Sequence, residues 1–232
     1  MYEPRRRNIA LRASFFEHLP AKMIKERKEE DPSFLTAWEQ TVELAFQITQ
    51  DSTVQNLTID TVDICYEACQ EYYCWVHGVN NPSDKKDFGA TWNEIKFAFT
   101  TLFNKVIASG KSVLFISHAK EREQELQELA DGVSMVGPSC SSSALKIMKQ
   151  MCDFWFYYGY NEGKRVIILR DPERNVDVST GIGFMDENKR PLNKIIIPND
   201  PTKFYTTVNN AFLGKVAGPS IKHTAKPVLK KK

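Results

Sequence analysis

The sequence predicts an α/β fold with a mostly parallel sheet flanked by helices, and three observations predict it. Helix-spaced segments alternate with short apolar runs along the chain. One such run, residues 54–59, ends on the carboxylate of Asp60 immediately before a helical segment. Another, Val113, Leu114, Phe115 and Ile116, shows no alternation, the pattern of a strand covered on both faces of a parallel sheet, and ends on the polar pair Ser117 and His118. A chain of 232 residues with 42% hydrophobic content can bury one sizeable core, so one globular domain is expected.

Taken in order, residues 13–50 read as helical, with Phe34, Leu35, Trp38, Val42, Leu44, Ala45 and Ile48 recurring near a 3.6 period after Asp31, Pro32 and Ser33 start the segment. The strand at 54–59 follows. Val62, Cys65, Tyr66, Cys69, Tyr73 and Val76 then fall at helical spacing, and Gly78 and Pro82 end that helix. A second long helix covers 91–108, with Trp92, Ile95, Phe99, Leu102, Phe103 and Val106 on one face, and Ser109, Gly110 and Lys111 stop it. After the strand at 113–116, residues 119–137 are charged and then loop-like. A Ser-capped helix at 141–150, strands at 154–158, 166–169 and 195–197, and a short amphipathic helix at 204–212 complete the chain. Strands 54–59, 113–116 and 154–158 are expected in one sheet, the first two as parallel neighbours.

Charge is unevenly placed. The chain carries a net +2, yet Arg5, Arg6, Arg7 and Arg12 lie at its start and six lysines lie in 214–232, leaving 21 basic against 28 acidic residues between 13 and 213, a net of about −7. Basic arms on an acidic body are able to hold nucleic-acid phosphates through charge alone, or to be simply solvated. No stretch approaches the roughly 18 to 20 apolar residues that span a bilayer, and the basic start is not followed by the apolar run of a signal peptide, so a cytoplasmic protein without a membrane partner is expected. The odd count of five cysteines (Cys65, Cys69, Cys74, Cys140 and Cys152), set in apolar segments, suits reduced thiols better than a disulfide framework.

Asp60 is the first candidate for chemistry. A carboxylate at the carboxyl end of a parallel strand faces the crevice where such sheets bind ligands, and there it is able to hold Mg²⁺ through water; the plainer role is a cap for the helix that begins beside it. His118 ends the next strand on the same rim, either facing a terminal phosphate or bonding a nearby carbonyl. Ser109-Gly110-Lys111-Ser112 matches the tail of the phosphate-loop pattern, but the first glycine of that pattern would fall on Lys105. The tetrapeptide also follows a helix and opens a strand, the reverse of what phosphate binding needs, so Gly110 reads as a helix C-cap. No glycine precedes Gly78. Cys65, Cys69, Cys74 and His77 do not share one helix face and have no second ligand pair, which argues against zinc. The aromatic run Phe154, Trp155, Phe156, Tyr157 and Tyr158 reads as core strand before it reads as a base-stacking platform.

The order of pieces resembles a known family. Leu57-Thr58-Ile59-Asp60-Thr61-Val62-Asp63, Tyr66 to Tyr72 with its Glu67 and Glu71, Gly78-Val79 with Pro82-Ser83-Asp84, Gly89-Ala90-Thr91-Trp92 and Phe115-Ile116-Ser117-His118-Ala119-Lys120 are similar, in sequence and spacing, to the phage-encoded RecA-like nucleotide-binding ATPases that include single-strand annealing recombinases. The resemblance runs from about residue 38 to 212, with Lys189-Arg190-Pro191-Leu192 resembling a late segment of the family. It implies a RecA-like fold, incomplete at its N-terminal side, with ATP and Mg²⁺ as cofactors. It makes Asp60 the Walker B carboxylate that holds Mg²⁺ through water, Asp63 a second residue of the nucleotide site, Ser117 and His118 the sensor, and Arg190 a phosphate contact within or between subunits. On this reading residues 1–37 are a charged, helical segment in place of the phosphate-loop region, 38–213 the partial ATPase core and 214–232 a basic, disordered tail. The ATPases of this family also need a glycine-rich loop and a water-orienting acid, and neither is found ahead of residue 38; Thr61 stands where some carry a catalytic Glu. Three readings follow: a recombination ATPase of phage or prophage origin present here without its phosphate loop and deficient in hydrolysis, a pseudo-ATPase that binds DNA or proteins, and an α/β interaction protein with no ligand. Single-stranded DNA held by the basic ends and a homo-oligomer are the partners expected.

Overall fold

The computed structural model describes residues 17–123, 134–171, 176–180 and 183–216. Arg5, Arg6, Arg7 and Arg12, and the tail lysines from Lys222 onward, lie outside the described residues. The chain forms two compact units where the sequence predicts one domain: residues 1–119 with 138–151, and residues 120–137 with 152–232. Two cores replace one because the apolar residues before 119 close over a helical layer while those after 152 close over antiparallel strands.

In the first unit, α1 (Ala21–Glu30) begins with the Ala21 amide bonded to Glu71 Oε2 at 2.8 Å. α2 (Ala37–Gln50) opens on a capping box: Thr36 Oγ1 accepts from the Glu39 amide at 3.2 Å, and Glu39 Oε2 accepts from the Thr36 amide at 2.8 Å. Such a cap is worth about 1 kcal/mol. Burial opposes ionisation of Glu39, but the Thr36 amide and the ammonium of Lys28, 3.0 Å away, together hold its carboxyl below the ordinary value. β1 (Asn56–Asp60) leads into α3 (Val62–His77), which stops at Gly78 (φ 65°), where the Val79 amide closes on the Cys74 carbonyl at 2.9 Å. α4 (Ala90–Ala108) lays Ile95, Phe99, Phe103 and Val106 into the core, all with no exposed surface. Phe99 touches three rings: Trp38 of α2 at 5.9 Å, Tyr66 of α3 at 5.2 Å and Phe103 at 4.9 Å. Phe103 in turn meets Phe115 of β2 (Ser112–Ile116) edge-on at 5.0 Å, which seats that strand on the helices. α5 (Ser142–Met151) packs against α4.

β1 and β2 pair in parallel, Asn56 opposite Ser112 and Asp60 opposite Ile116, as the α/β rhythm predicts. Among the described residues this pair is the part of the expected parallel sheet that is seen, within a mixed α/β architecture of helices and small sheets. Expected cover on both faces of residues 113–116 is corrected. Leu57, Ile59, Val113 and Phe115 turn toward the helices, whereas Leu114 and Ile116 on the opposite face remain 48% and 39% exposed.

β3 (Ala119–Glu123) and β4 (Ser134–Pro138), nearly all of them in the second unit, pair with each other where the sequence reads as charged loop. In the second unit, residues 154–158 do not join β1 and β2. The run breaks at Phe156 into β5 (Phe154–Trp155), antiparallel to β8 (Ser179–Thr180), and β6 (Tyr157–Asn161). β6 turns back into β7 (Lys164–Ile168) through Glu162 (φ 51°) and Gly163 (φ 74°), the two successive positive φ values of a tight hairpin turn. β7 also pairs with β9 (Lys194–Ile196), giving a three-stranded antiparallel sheet. Its core is Ile167, Leu169, Phe184, Leu192, Ile195, Ile197 and Ala211, the last from α6 (Phe204–Phe212). At Gly159 of β6 an added Cβ would sit 2.5 Å from the ring of Tyr157, so a larger residue there displaces that side chain. Among the described residues no helix is long and apolar enough to cross a membrane.

Candidate functional site

Parallel pairing of β1 and β2 in this register brings their carboxyl ends side by side, so Asp60 and the Ser117–His118 pair emerge at the same end of the strands. Asp60 is exposed, and a cis peptide joins it to Thr61. The helix-cap role weighed for Asp60 is corrected: Asp60 ends β1, the N-cap position of α3 is Thr61, and no side chain makes a capping bond there.

Asp63, in the first turn of α3 and only 9% exposed, is the hub of the site. Its Oδ1 accepts from Ser117 Oγ at 2.6 Å, and its Oδ2 accepts from Ser139 Oγ at 2.6 Å and from the His118 amide at 3.4 Å. The ring of bonds closes on itself: the Ser139 amide donates to the His118 carbonyl at 2.7 Å and to Ser117 Oγ at 3.2 Å. A carboxylate at a helix N-terminus, with two hydroxyls and an amide converging on it, has most of its lone pairs satisfied, and it holds structure in place. The carboxylate-bearing turn of α3, the end of β2 and the segment after β4 are thereby locked together. Asp60, Asp63, Ser117 and His118, all singled out from sequence, are brought to one place. Ser139 was missed; it lies 76 residues from Asp63, and no local pattern marks it.

For His118 the backbone takes part in this knot while the side chain is exposed. Arg190 belongs to the second unit and is already engaged: its Nε bonds Asp186 Oδ2 at 2.9 Å, and its amide bonds Asp186 Oδ1 at 2.9 Å. Asp186 is 1% exposed, and the Arg190 amide, outweighing the opposing effect of burial, holds its carboxyl below the ordinary value together with the Arg190 guanidinium.

The phosphate-loop-like tetrapeptide is structural, as its context predicts. Gly110 adopts φ 81° past the end of α4, and the Lys111 ammonium is buried, donating to the carbonyls of Asp51 at 2.7 Å and Val54 at 2.6 Å. Lys111 sits at the amino ends of β1 and β2, about 16 Å of strand from their carboxyl ends. His77, weighed with the cysteines as a zinc ligand, instead bonds Glu94 at 2.7 Å and Lys85 at 2.9 Å, and Cys69 Sγ donates to the Ile95 carbonyl at 3.9 Å. Among the described residues no group of three or more His, Cys, Asp or Glu side chains is placed to hold a metal. A single exposed carboxylate such as Asp60 still fits Mg²⁺, which keeps most of its waters and takes its other ligands from substrate phosphates.

No curated protein and no solved structure matches the chain. The sequence model of the AAA domain does, over residues 19–177, a span that includes β1, α3, α4, β2 and every member of the Asp63 knot. Since that span is more than half of its length, the chain belongs to the AAA domain family of nucleotide-binding, P-loop-type NTPases.

Proposed function

We propose that this protein is a RecA-like ATP-binding protein of phage or prophage origin that assists DNA recombination or single-strand annealing, and that its 232 residues alone do not hydrolyse ATP. The observation that carries the reading is the side-by-side exit of Asp60 and Ser117–His118 from parallel β1 and β2, fastened by Asp63. In this reading Asp60 holds Mg²⁺ through water, and the metal, when bound, neutralises charge on the β- and γ-phosphates of ATP. The Asp63–Ser117–Ser139 knot keeps the sensor strand in register with Asp60, so that a change at the terminal phosphate is felt by the segment after β4. Arg190 is assigned a phosphate contact in a homo-oligomer, which requires it to leave Asp186. Missing from these residues are the backbone amides and lysine that would press the phosphates onto the metal: no glycine precedes Gly78, and Lys111 is committed to two carbonyls. That second fact also favours a pseudo-ATPase that retains the fold as a module for DNA or protein binding.

Phosphate release from ATP and Mg²⁺ by the chain is expected at background, with or without Asp60→Ala. Joined to an upstream Gly-x-x-x-x-Gly-Lys-Thr segment read in frame from its own DNA, the chain should gain Mg²⁺-dependent hydrolysis that Asp60→Ala lowers by at least about 100-fold. Hydrolysis by the extended chain that survives Asp60→Ala removes Asp60 from the metal site. Absence of an upstream loop in the DNA leaves the pseudo-ATPase. DNA contact through Arg5–Arg7 and the tail lysines should be indifferent to sequence, with a logarithmic salt slope of about 0.7 per phosphate neutralised on a single strand.

A further inference from the structure

His77, the last residue of α3, has both ring nitrogens occupied. Nε2 lies 2.7 Å from Glu94 Oε2 near the start of α4, and Nδ1 lies 2.9 Å from Lys85 Nζ in the segment that joins the two helices. The Tyr73 ring, one turn back on α3, sits beside the imidazole at 6.4 Å, and the side chain is 19% exposed, so the ring is held from several sides. A carboxylate accepts and an ammonium donates. Nε2 must therefore carry the proton that faces Glu94, and Nδ1 must present a lone pair to Lys85. Only a neutral ring satisfies both partners.

Protonation changes what the ring is able to bond. The Glu94 contact becomes an ion pair, while the new Nδ1–H meets the Lys85 ammonium at 2.9 Å, donor against donor and cation against cation. Other charged groups of the packed elements have partners of their own. Asp84 accepts from the Asn81 amide at 2.9 Å, and Asp87 from the Gly89 and Thr91 amides, both at 3.0 Å. Glu71 of α3 accepts from the Ala21 amide at 2.8 Å, and Lys28 of α1 pairs with Glu39 of α2 at 3.0 Å. We propose that His77 is a pH-operated latch for residues 78–89: neutral, it straps the segment to α3 and α4 through Lys85, and protonated, it keeps Glu94 and releases Lys85. The remaining ties are the Val79 amide on the Cys74 carbonyl at 2.9 Å, Trp92 Nε1 donating to Ser83 Oγ at 3.2 Å, and buried Pro82, none of which changes charge with the ring. The segment thus loosens without detaching, and the freed Lys85 ammonium stands next to Lys86 in the chain. The latch lies at the opposite end of α3 from Asp63 and is independent of the nucleotide reading.

Amide hydrogen exchange of the full chain at about pH 8 and about pH 5.5, values that bracket the range in which histidine as a residue type changes charge, tests the latch once corrected for the intrinsic pH dependence of exchange. The amides of Asp84, Asp87 and Ala90, bonded to the carbonyls of Asn81, Lys85 and Asp87, should lose protection by about three- to fivefold at the lower pH, the scale of an exposed charged contact, while those of α5 keep theirs. Asp87 stays ionised throughout, since its bond from the Thr91 hydroxyl holds its carboxyl below the ordinary value. Lys85→Met should show the loosened exchange at both pH values. His77→Gln, whose side chain gains no charge, should exchange alike at the two. Equal protection of the wild-type segment at both values overturns the latch, and so does a pH dependence that survives in His77→Gln, which puts the titrating group elsewhere. Protection lost across the whole first unit at the lower pH is acid unfolding and overturns it as well.

Discussion

Asp63→Ala is expected to destabilise the first unit by about 3–4 kcal/mol. The carboxylate accepts two hydroxyl bonds of 2.6 Å and one amide bond, and its removal leaves Ser117 Oγ and Ser139 Oγ facing a space that has lost its acceptor. Each hydrogen bond to a charged acceptor is worth roughly 1.5–3 kcal/mol, and the cost of stranding the donors adds to the loss, while relaxation of the loop at Ser139 returns part of it. Urea titration followed by the fluorescence of Trp38, which is 4% exposed in the same unit, measures this directly. Asp63→Asn keeps one acceptor oxygen in place and should recover about half. A loss below about 1 kcal/mol for the alanine variant would mean that the knot is water-filled and does not fasten β2 to α3. Because Asp60 ends β1 three residues before Asp63, the same substitution should also loosen the geometry at the carboxyl ends of the strands.

Phe99→Ala is the second large effect, about 3–5 kcal/mol. The ring has no exposed surface and meets Trp38, Tyr66 and Phe103, one from each of the three long helices. No neighbour is able to collapse into the space without pulling a helix off the others, so most of the cavity persists. Phe99→Leu fills more of it and should cost less than half as much. The same urea titration reads both variants, and a cost near 1 kcal/mol for Phe99→Ala would show that the helices repack freely. The consequence reaches the site through Phe103 and Phe115, since β2 is seated on the helices by that contact.

What was legible in the sequence is what local spacing encodes. The order β1, Asp60, α3, α4, β2, Ser117–His118 follows from apolar periods and from Gly78 and Gly110 as stops, and parallel pairing of β1 and β2 follows from the helices between them. What was not legible depends on partners far along the chain. Asp63 reads as one more acid at a helix start until Ser139 arrives 76 residues later. Four apolar residues in a row at 113–116 promise two covered faces, yet cover is a property of what else folds over them, and Leu114 and Ile116 have little. The run at 154–158 reads as one strand because aromatic residues favour strands wherever they point. Its break at Phe156 is set by two different partners, β8 and β7. The hairpin that follows did carry a signal, Asn161-Glu162-Gly163-Lys164 between two β-favouring runs.

The cysteines of α3 have a consequence for how the first unit can be watched in solution. Burial pushes the Cys65 thiol up to about 12 and the Cys74 thiol to about 11, and burial, with Cys65 beside it, raises the Cys69 thiol well above its ordinary value. At neutral pH the reactive thiolate of Cys74 is then on the order of one molecule in ten thousand while the helix stays packed. Alkylating reagents consequently meet the fully buried Cys69 and Cys74 sulfurs only when α3 lifts from its neighbours. The rate at which they are consumed counts those openings, residue by residue, without any added probe.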